Sequence, residues 1–248
     1  MRMRSKKWAR PELAACPYYH DDPAAHKGRW SELFARRQPL YMELGCGKGG
    51  FLAEWALAHP EVNFVGVDLI SDMLGVARRN VQSAFDGAGR PVDNLLLTAF
   101  DITRIDLYWD AADPADRIFI NFCNPWFRPK QFKKRLTHPR QLLHYREFLR
   151  DGGEIWFKTD SDLLFSHSLP YFEACGFELV YQTQDLHGSG FAENVPTEHE
   201  RMYTAEGIPT KFLIARKLPG NFGAAVKTPE KGAKTAGAFC EKPIDKAE

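Results

Sequence analysis

The sequence predicts an α/β protein built on a mostly parallel, seven-stranded sheet with helices on both faces. Short apolar runs alternate along the chain with longer stretches of helical periodicity, the pattern of repeated βαβ units. A glycine-rich turn separates the first apolar run from the first helical stretch, as in sheets that bind ligands at the ends of their strands. A hydrophobic share of 44% over 248 residues is enough to build the core of one such domain.

The apolar runs and the periodic stretches predict the individual elements. We expect strands at residues 40–44, 63–68, 95–98, 117–122, 154–159, 178–181 and 211–215. Helices are expected at residues 51–59, 71–84, 139–149 and 161–175, with Gly152 and Gly176 as stop signals after the last two. Because the last two strands follow long or irregular connections, an antiparallel edge can enter the sheet there.

Composition divides the chain into three parts. Residues 1–36 form a basic N-terminal segment with no apolar stretch behind its cations, which argues against a secretory signal. Residues 37–218 contain every predicted strand and form the main domain. Residues 219–248 are rich in Gly, Ala, Lys and Pro and almost lack large apolar side chains, so we expect a disordered tail.

The formal charge of +1 is almost neutral, so a preference for charged partners must come from a local patch. Residues 128–146 carry seven basic side chains and no acidic one. Aromatic rings are interleaved with these cations: Phe127, Phe132, His138 and Tyr145. Cations neutralise phosphates and rings stack on unpaired bases, so the patch favours a nucleic-acid partner over a merely solvated face.

Other classes of protein find no support. The five cysteines are widely spread without a Cys-x-x-Cys pair, and the eight histidines show no ligand spacing, so neither a disulfide framework nor a metal site is expected. No apolar run approaches the roughly 18 residues that a membrane span needs. We expect a cytoplasmic protein without membrane partners, and the sequence leaves its oligomeric state open.

The glycine loop runs Glu43-Leu-Gly45-Cys-Gly47-Lys-Gly-Gly50 between a predicted strand and a predicted helix. This context lets the backbone approach a nucleotide-like ligand. Asp68 closes the second predicted strand 23 residues after Gly45, close to the roughly 20-residue offset at which an acid binds ribose hydroxyls.

The glycine spacing also fits a dinucleotide site, and charge separates the two interpretations. Glu43, beside the loop, would repel a pyrophosphate but suits S-adenosylmethionine, whose sulfonium and ammonium groups are positive. Asp101, just after the third predicted strand, could accept a hydrogen bond from the adenine amino group. Three acids at successive strand ends therefore favour S-adenosylmethionine, because ligands of open α/β sheets collect at those ends.

The segment after the fourth predicted strand places Asn124-Pro125-Trp126 directly before the basic patch. The carboxyl end of that strand is where substrate is expected, so chemistry and polymer binding would be adjacent. A proline turn with a packed tryptophan is the alternative for this motif taken alone.

With these motifs the chain resembles the bacterial tRNA (guanine-N7-)-methyltransferases. The resemblance rests on five motifs in order: Glu43 to Gly49, Asn121 to Trp126, Lys133 to Leu136, Phe157 to Asp160, and Thr197 to Glu200. It extends over residues 8–217. It implies a Rossmann-like fold and methyl transfer from S-adenosylmethionine to N7 of a variable-loop guanine, position 46 of tRNA.

The resemblance also assigns site residues. Cofactor-binding positions are Glu43, Gly45, Gly47, Asp68, Asp101 and Asn124, with aspartate at 68 where the family commonly has glutamate. Substrate-binding positions are Arg128, Asp160, Thr197, Glu198, His199 and Glu200. The basic patch supplies the cations expected on the tRNA backbone: Lys130, Lys133, Lys134, Arg135 and Arg140.

Asn124 departs from the family, which has an aspartate at this position in the active site. Guanine N7 carries a free lone pair and no proton, so its attack on a methyl group needs no general base. Positioning could lower the barrier by up to roughly 7 to 11 kcal/mol. Replacing a carboxylate that holds guanine removes one charge-assisted hydrogen bond worth about 1.5 to 3 kcal/mol, so we expect weakened but functional catalysis, with Asn124 as the catalytic position.

Three alternatives remain open at this point. Asn-Pro-Trp is similar to the Asn-Pro-Pro-aromatic motif of adenine-amino methyltransferases, although the second proline is missing. The chain could instead be a non-catalytic tRNA-binding protein that has lost activity at Asn124. The nicotinamide reading of the glycine loop is the least favoured of the three.

Overall fold

The computed structural model describes residues 6–222 of the chain, and they form an eight-stranded mixed sheet. The strands are β1 (Tyr19–His20), β2 (Leu40–Leu44), β3 (Asn63–Asp68), β4 (Leu95–Ala99), β5 (Ala115–Asn121), β6 (Leu149–Thr159), β7 (Phe177–Thr183) and β8 (Lys211–Lys217). Their order in the sheet is β1-β4-β3-β2-β5-β6-β8-β7. The first six strands are parallel, whereas β8 is antiparallel to both β6 and β7.

The α/β prediction is confirmed, with one strand more than the seven expected. The additional strand, β1, is two residues long and pairs with Leu97 and Thr98 of β4. Two residues are too few to show an alternating pattern, so the sequence did not predict it. The antiparallel edge lies where the irregular connections suggested it.

Six α-helices accompany the strands within the described part of the chain. They are α1 (Ala9–Ala14), α2 (Gly50–Ala58), α3 (Ser71–Gly87), α4 (Pro139–Phe148), α5 (Asp162–Ala174) and α6 (Glu198–Ala205). The four predicted helices are present with ends shifted by up to three residues. The sequence missed α1 and α6, because six and eight residues give only about two turns of periodicity. Within the described range, no helix is long and apolar enough to cross a bilayer.

The N-terminal segment is not separate from the main domain, contrary to the predicted division at residue 36. Helix α1 packs so tightly on α3 that a Cβ built on Gly75 would lie 2.5 Å from the Cβ of Ala9. Trp30 is completely buried and stacks on Trp109, with ring centroids 4.9 Å apart. Composition marked these residues as a basic segment, but their few apolar side chains complete the core. Most of the predicted tail, residues 223–248, lies outside the described residues.

The topology determines where a ligand can bind. Strands β2, β3 and β4 extend to one side of the sheet and β5 returns to the other side of β2. The strand order therefore reverses between β2 and β5, and the crevice outside the carboxyl ends of such strands is the ligand site of open α/β sheets. Glu43 and Asn121 lie at these two strand ends.

Candidate active site

A cleft of about 690 Å³ opens at the point where the strand order reverses. One wall is the glycine loop with the start of α2, and the opposite wall is the start of α6. Several predicted site residues line it: Glu43, Gly45, Gly47, Thr197, Glu198 and His199. The other predicted cofactor and substrate positions are not among its lining residues. The fold thus brings together two motifs that lie about 150 residues apart in the sequence.

The glycines of the loop serve two different purposes. Gly45 and Gly47 have φ angles of +91° and +52°, which L side chains rarely adopt, and the space beside them is open toward the cleft. Gly49 has φ +71°, but a Cβ there would lie 2.8 Å from the Cβ of Ala77 in α3. The first two therefore leave room for a ligand against the backbone, whereas Gly49 allows the close packing of α2 on α3.

Glu43 is the buried acid of the cleft, with only 3% of its surface exposed. Its Oε1 accepts a hydrogen bond from Asn121 Nδ2 at 2.9 Å, while Oε2 has no partner within residues 6–222. Burial raises the pKa of this carboxyl from 4.5 to about 8, against the opposing Asn121 hydrogen bond and the Lys158 charge. A buried acceptor without a donor is costly, so this atom fits the ammonium group of the expected cofactor.

Asp68 and Asp101 each hold backbone next to the cleft. Asp68 Oδ2 accepts from the Gly47 backbone N–H at 3.0 Å and Oδ1 from that of Ile70 at 2.9 Å. Asp101 Oδ1 accepts from both the backbone N–H and the hydroxyl of Thr103, at 2.9 and 2.7 Å. Each carboxylate keeps acceptor capacity beyond these bonds, so both can still take a ribose hydroxyl or an amino group.

The Asn124 segment contains two residues in the left-handed region that are not glycine. Phe122 has φ +49° and Trp126 φ +43°, conformations that cost of order 1 to 3 kcal/mol each and persist only where surrounding contacts impose them. The exposed Asn124 accepts a hydrogen bond from the Trp126 backbone N–H through Oδ1 at 3.1 Å. An aspartate could accept the same bond, so the turn itself does not require asparagine.

Most cations of the basic patch are exposed, but Arg135 is an exception. Arg128, Lys130, Lys133, Lys134 and Arg140 face solvent. Arg135 is completely buried, and its guanidinium donates to the carbonyls of Pro125 at 2.7 Å and Trp126 at 3.3 Å. The prediction that Arg135 contacts the tRNA backbone is therefore wrong for this geometry. Its five donors serve the strained turn that carries Asn124.

The rings of the basic patch are also separated by burial. Phe127 is 65% exposed, Phe132 is half-buried, and His138 and Tyr145 lie in the interior. His138 accepts from the backbone N–H of Arg140 at the start of α4, and Tyr145 packs on Phe148. Of the four rings proposed to stack on bases, Phe127 is the one that presents a free face.

The segment from Thr197 to Glu200 starts α6 with a capping box. The Thr197 hydroxyl accepts from the Glu200 backbone N–H at 3.0 Å, and Glu200 Oε2 accepts from that of Thr197 at 3.2 Å. The side chain of Glu200 is fully buried, and its two oxygens also accept from Asn194 Nδ2, Lys158 Nζ and His187 Nε2. The prediction that Glu200 binds substrate is therefore wrong in this geometry, because its acceptor capacity is already used.

The other two residues of this segment face the cleft. Glu198 pairs with Lys48 of the glycine loop at 2.6 Å, across the opening. The imidazole of His199 stacks on Phe122, with centroids 5.8 Å apart. Asp160, at the end of β6, is half-buried, and its charge adds to burial in raising the pKa of Tyr203 in α6. These residues remain available to a substrate.

Lys158 is a residue that sequence analysis passed over. It lies in the motif from Phe157 to Asp160 but is only 3% exposed, and its ammonium donates to Asn194 Oδ1, the Val195 carbonyl and Glu200 Oε2. Burial lowers its pKa, against the charge of Glu200. A lysine within an otherwise apolar strand is the sequence signal that could have pointed to a buried partner.

Among residues 6–222 no group of three or more His, Cys, Asp or Glu side chains is arranged to hold a metal ion. Cys46 and Cys123 lie near the cleft, and burial raises the pKa of each thiol, that of Cys123 to about 12. Neither is therefore activated as a nucleophile.

Comparison with known proteins agrees with this geometry. The family model Methyltransf_4, described as "Putative methyltransferase", matches residues 37–213. A tRNA (guanine-N(7)-)-methyltransferase of Clostridium perfringens is 50% identical over 219 residues, covering 88% of this chain and 100% of the relative. One of Ruminiclostridium cellulolyticum is 51% identical over 216 residues, covering 87% and 92%.

Solved structures support the fold alone. The antibiotic-resistance methyltransferase Kmr aligns with a TM-score of 0.50 and 20% identity, covering 76% of this chain and 89% of that one. An antibiotic-related methyltransferase aligns with a TM-score of 0.50 and 13% identity, covering 88% and 97%. Together with the cleft and its buried acid, the sequence relatives show that this chain belongs to the tRNA (guanine-N(7)-)-methyltransferase family.

Proposed function

We propose that this chain transfers a methyl group from S-adenosylmethionine to N7 of guanine 46 in the variable loop of tRNA. Family membership supports the transfer to guanine N7 in tRNA, and position 46 is our extension of it. The observation that carries the proposal is the unpartnered, buried Oε2 of Glu43 in a cleft where Gly45 and Gly47 leave the backbone open. We place the reaction in the cytoplasm, where bacterial tRNA is modified.

The residues present fit the cofactor. Glu43, held by Asn121, would accept from its amino group, and the open backbone at Gly45 and Gly47 would lie against it. Asp68 would bind the ribose hydroxyls while holding the glycine loop, and Asp101 would accept from the adenine amino group. When bound, S-adenosylmethionine supplies an electrophilic methyl group on a positively charged sulfur.

The protein's own task in this chemistry is placement. The N7 lone pair forms the bond to the methyl carbon as the carbon–sulfur bond breaks, and the positive charge passes from sulfur to the guanine ring. No proton moves, so no residue is required as a base. The walls formed by the glycine loop and α6 exclude water and orient the guanine, which is the contribution expected from in-line positioning.

Guanine must be held by groups that recognise its donors. The free carboxylates nearest to the cleft wall are those of Asp160 and Glu198, the latter lining the cleft itself. A carboxylate can accept from the N1 and N2 hydrogens of guanine. Asn124 offers one acceptor, already used by Trp126, and an NH2 group that suits the guanine O6 acceptor.

The exposed cations after β5 would hold the tRNA backbone next to this cleft. Arg128, Lys130, Lys133, Lys134 and Arg140 face solvent, whereas Arg135 orders the turn from within. Phosphate neutralisation by such a group makes affinity fall steeply with salt. The exposed ring of Phe127 offers a stacking face beside the site.

The test is incubation of the purified protein with unmodified tRNA and methyl-labelled S-adenosylmethionine, followed by nucleoside analysis. We expect 7-methylguanosine, and its loss from a tRNA with adenosine at position 46. Methyladenosine would favour the exocyclic-amine alternative, and no product despite binding of both ligands would favour a non-catalytic tRNA-binding protein. Label in 7-methylguanosine that persists in the position-46 variant would contradict the assigned position alone.

A further inference from the structure

We propose that Lys158 is a positioning residue that holds the α6 wall of the cleft in its productive place. The inference rests on the proposed function and names a residue that acts through others, since Lys158 has no donor left for a substrate. A lysine ammonium has three hydrogens, and each has its own acceptor: Asn194 Oδ1 at 2.5 Å, the Val195 carbonyl at 2.9 Å and Glu200 Oε2 at 2.8 Å.

All three acceptors belong to one short segment, residues 194–200, which has no strand of its own. Glu200 Oε1 also accepts from Asn194 Nδ2 at 2.7 Å, so the segment is closed on itself around the ammonium. Lys158 belongs to β6, in the interior of the sheet, which makes it a rigid base for this attachment. One side chain thus joins the loop before α6 to the sheet.

The attached segment carries the residues that face the cleft. Thr197, Glu198 and His199 line it opposite the glycine loop, immediately before or within the first turn of α6. Two other links across this boundary are exposed, Lys48 with Glu198 at 2.6 Å and Arg201 with Glu54 at 2.9 Å. Exposed pairs contribute little and weaken with salt, so the buried attachment through Lys158 dominates.

The consequence is a specific loss when the ammonium is removed. In Lys158→Met the carboxylate of Glu200 loses its buried counter-charge and segment 194–200 loses its connection to the sheet. A displacement of about 1 Å in a positioned group can lower the rate about 10²-fold. We expect kcat for tRNA methylation to fall about 10²-fold, while KM for tRNA changes less than threefold, because the basic patch is untouched.

Arg146 provides a matched control. It is 7% exposed, and it also holds a segment, by donating to the carbonyls of Gly176, Leu218 and Gly220. None of these residues lines the cleft. Arg146→Met should lower the unfolding temperature as Lys158→Met does but change kcat less than threefold at a temperature where both variants are folded.

Asn194→Ala is a milder variant that leaves the Lys158–Glu200 pair intact and removes one acceptor. We expect an intermediate loss of kcat and faster amide hydrogen exchange in residues 194–203, with β6 still protected. Lys158→Arg, which keeps the charge, should retain more activity than Lys158→Met. If both Lys158→Met and Asn194→Ala keep wild-type kcat and wild-type exchange in this segment, Lys158 has no positioning role.

The outcome can be separated from failure of the proposed function. If the wild-type protein makes no 7-methylguanosine, the function proposed above is wrong. Hydrogen exchange and calorimetric titration with S-adenosylmethionine still test the positioning role in that case. Unchanged exchange and unchanged cofactor affinity in Lys158→Met would then overturn it.

Discussion

Replacing Glu43 by glutamine should stabilise the protein at high pH and weaken its binding of S-adenosylmethionine. The carboxyl of Glu43 is buried, and its pKa is raised to about 8 from an ordinary 4.5. The folded state therefore keeps a proton between these values that the unfolded state has lost. The stability linked to that proton is complete below pH 4.5 and is lost as the pH rises through about 8.

The magnitude follows from linkage. Within this window one excess proton in the folded state changes the free energy of unfolding by about 1.4 kcal/mol per pH unit. Between pH 5.5 and 7.5, wild type should lose about 3 kcal/mol relative to Glu43→Gln, and above pH 8 the difference should level off. Glutamine imitates the protonated acid, since its Oε1 can still accept from Asn121.

The assay is urea unfolding of both proteins without cofactor at four pH values from 5.5 to 8.5. Calorimetric titration at pH 8.5 should show cofactor affinity in Glu43→Gln reduced roughly tenfold to a hundredfold, the cost of one charge-assisted hydrogen bond of about 1.5 to 3 kcal/mol. A stability difference independent of pH would refute the buried, protonated state of Glu43. Unchanged cofactor affinity would refute its role at the ammonium group.

Three further predictions concern the RNA side of the site. Asn124→Asp should be tolerated or faster in the methylation assay, because a carboxylate accepts the same turn hydrogen bond and one more from guanine; complete loss of activity would contradict this. Arg128→Glu should weaken tRNA binding and reduce its salt dependence while calorimetry shows cofactor affinity unchanged, whereas the reversal at exposed Arg37, before the amino end of β2, should do neither; equal loss in both would argue against the patch. Phe127→Ala should raise KM for tRNA roughly fivefold to a hundredfold, the value of about 1 to 3 kcal/mol for one stacked base, with Phe127→Trp close to wild type; unchanged KM would exclude stacking.

Local patterns were sufficient for the sheet. The predicted bounds of β2 and β3 agree with the structure, because buried parallel strands are continuous apolar runs that end where glycine or acid follows. The glycine loop was equally legible, since the φ angles of Gly45 and Gly47 are requirements of the local backbone. Short elements such as β1 and α6 lacked the length for a pattern.

The individual roles of charged residues were decided by the tertiary structure. Arg135 and Lys134 are neighbours in one basic run, yet Arg135 is buried under the turn and Lys134 is exposed. Composition cannot separate them, because burial depends on which elements pack above a side chain. The same reason explains why Glu200, read as a substrate ligand, proved to be the counter-charge of Lys158.

The sequence by itself determined the fold class, the glycine loop, the acids at the strand ends and the family. These depend on residue types at fixed spacing along one chain segment, which periodicity and motifs record directly. Only the tertiary structure decided that Glu43 keeps an unpartnered buried oxygen and that Lys158 joins α6 to the sheet. Both facts arise from contacts between segments far apart in the chain, and their energies depend on the exclusion of water that packing alone creates.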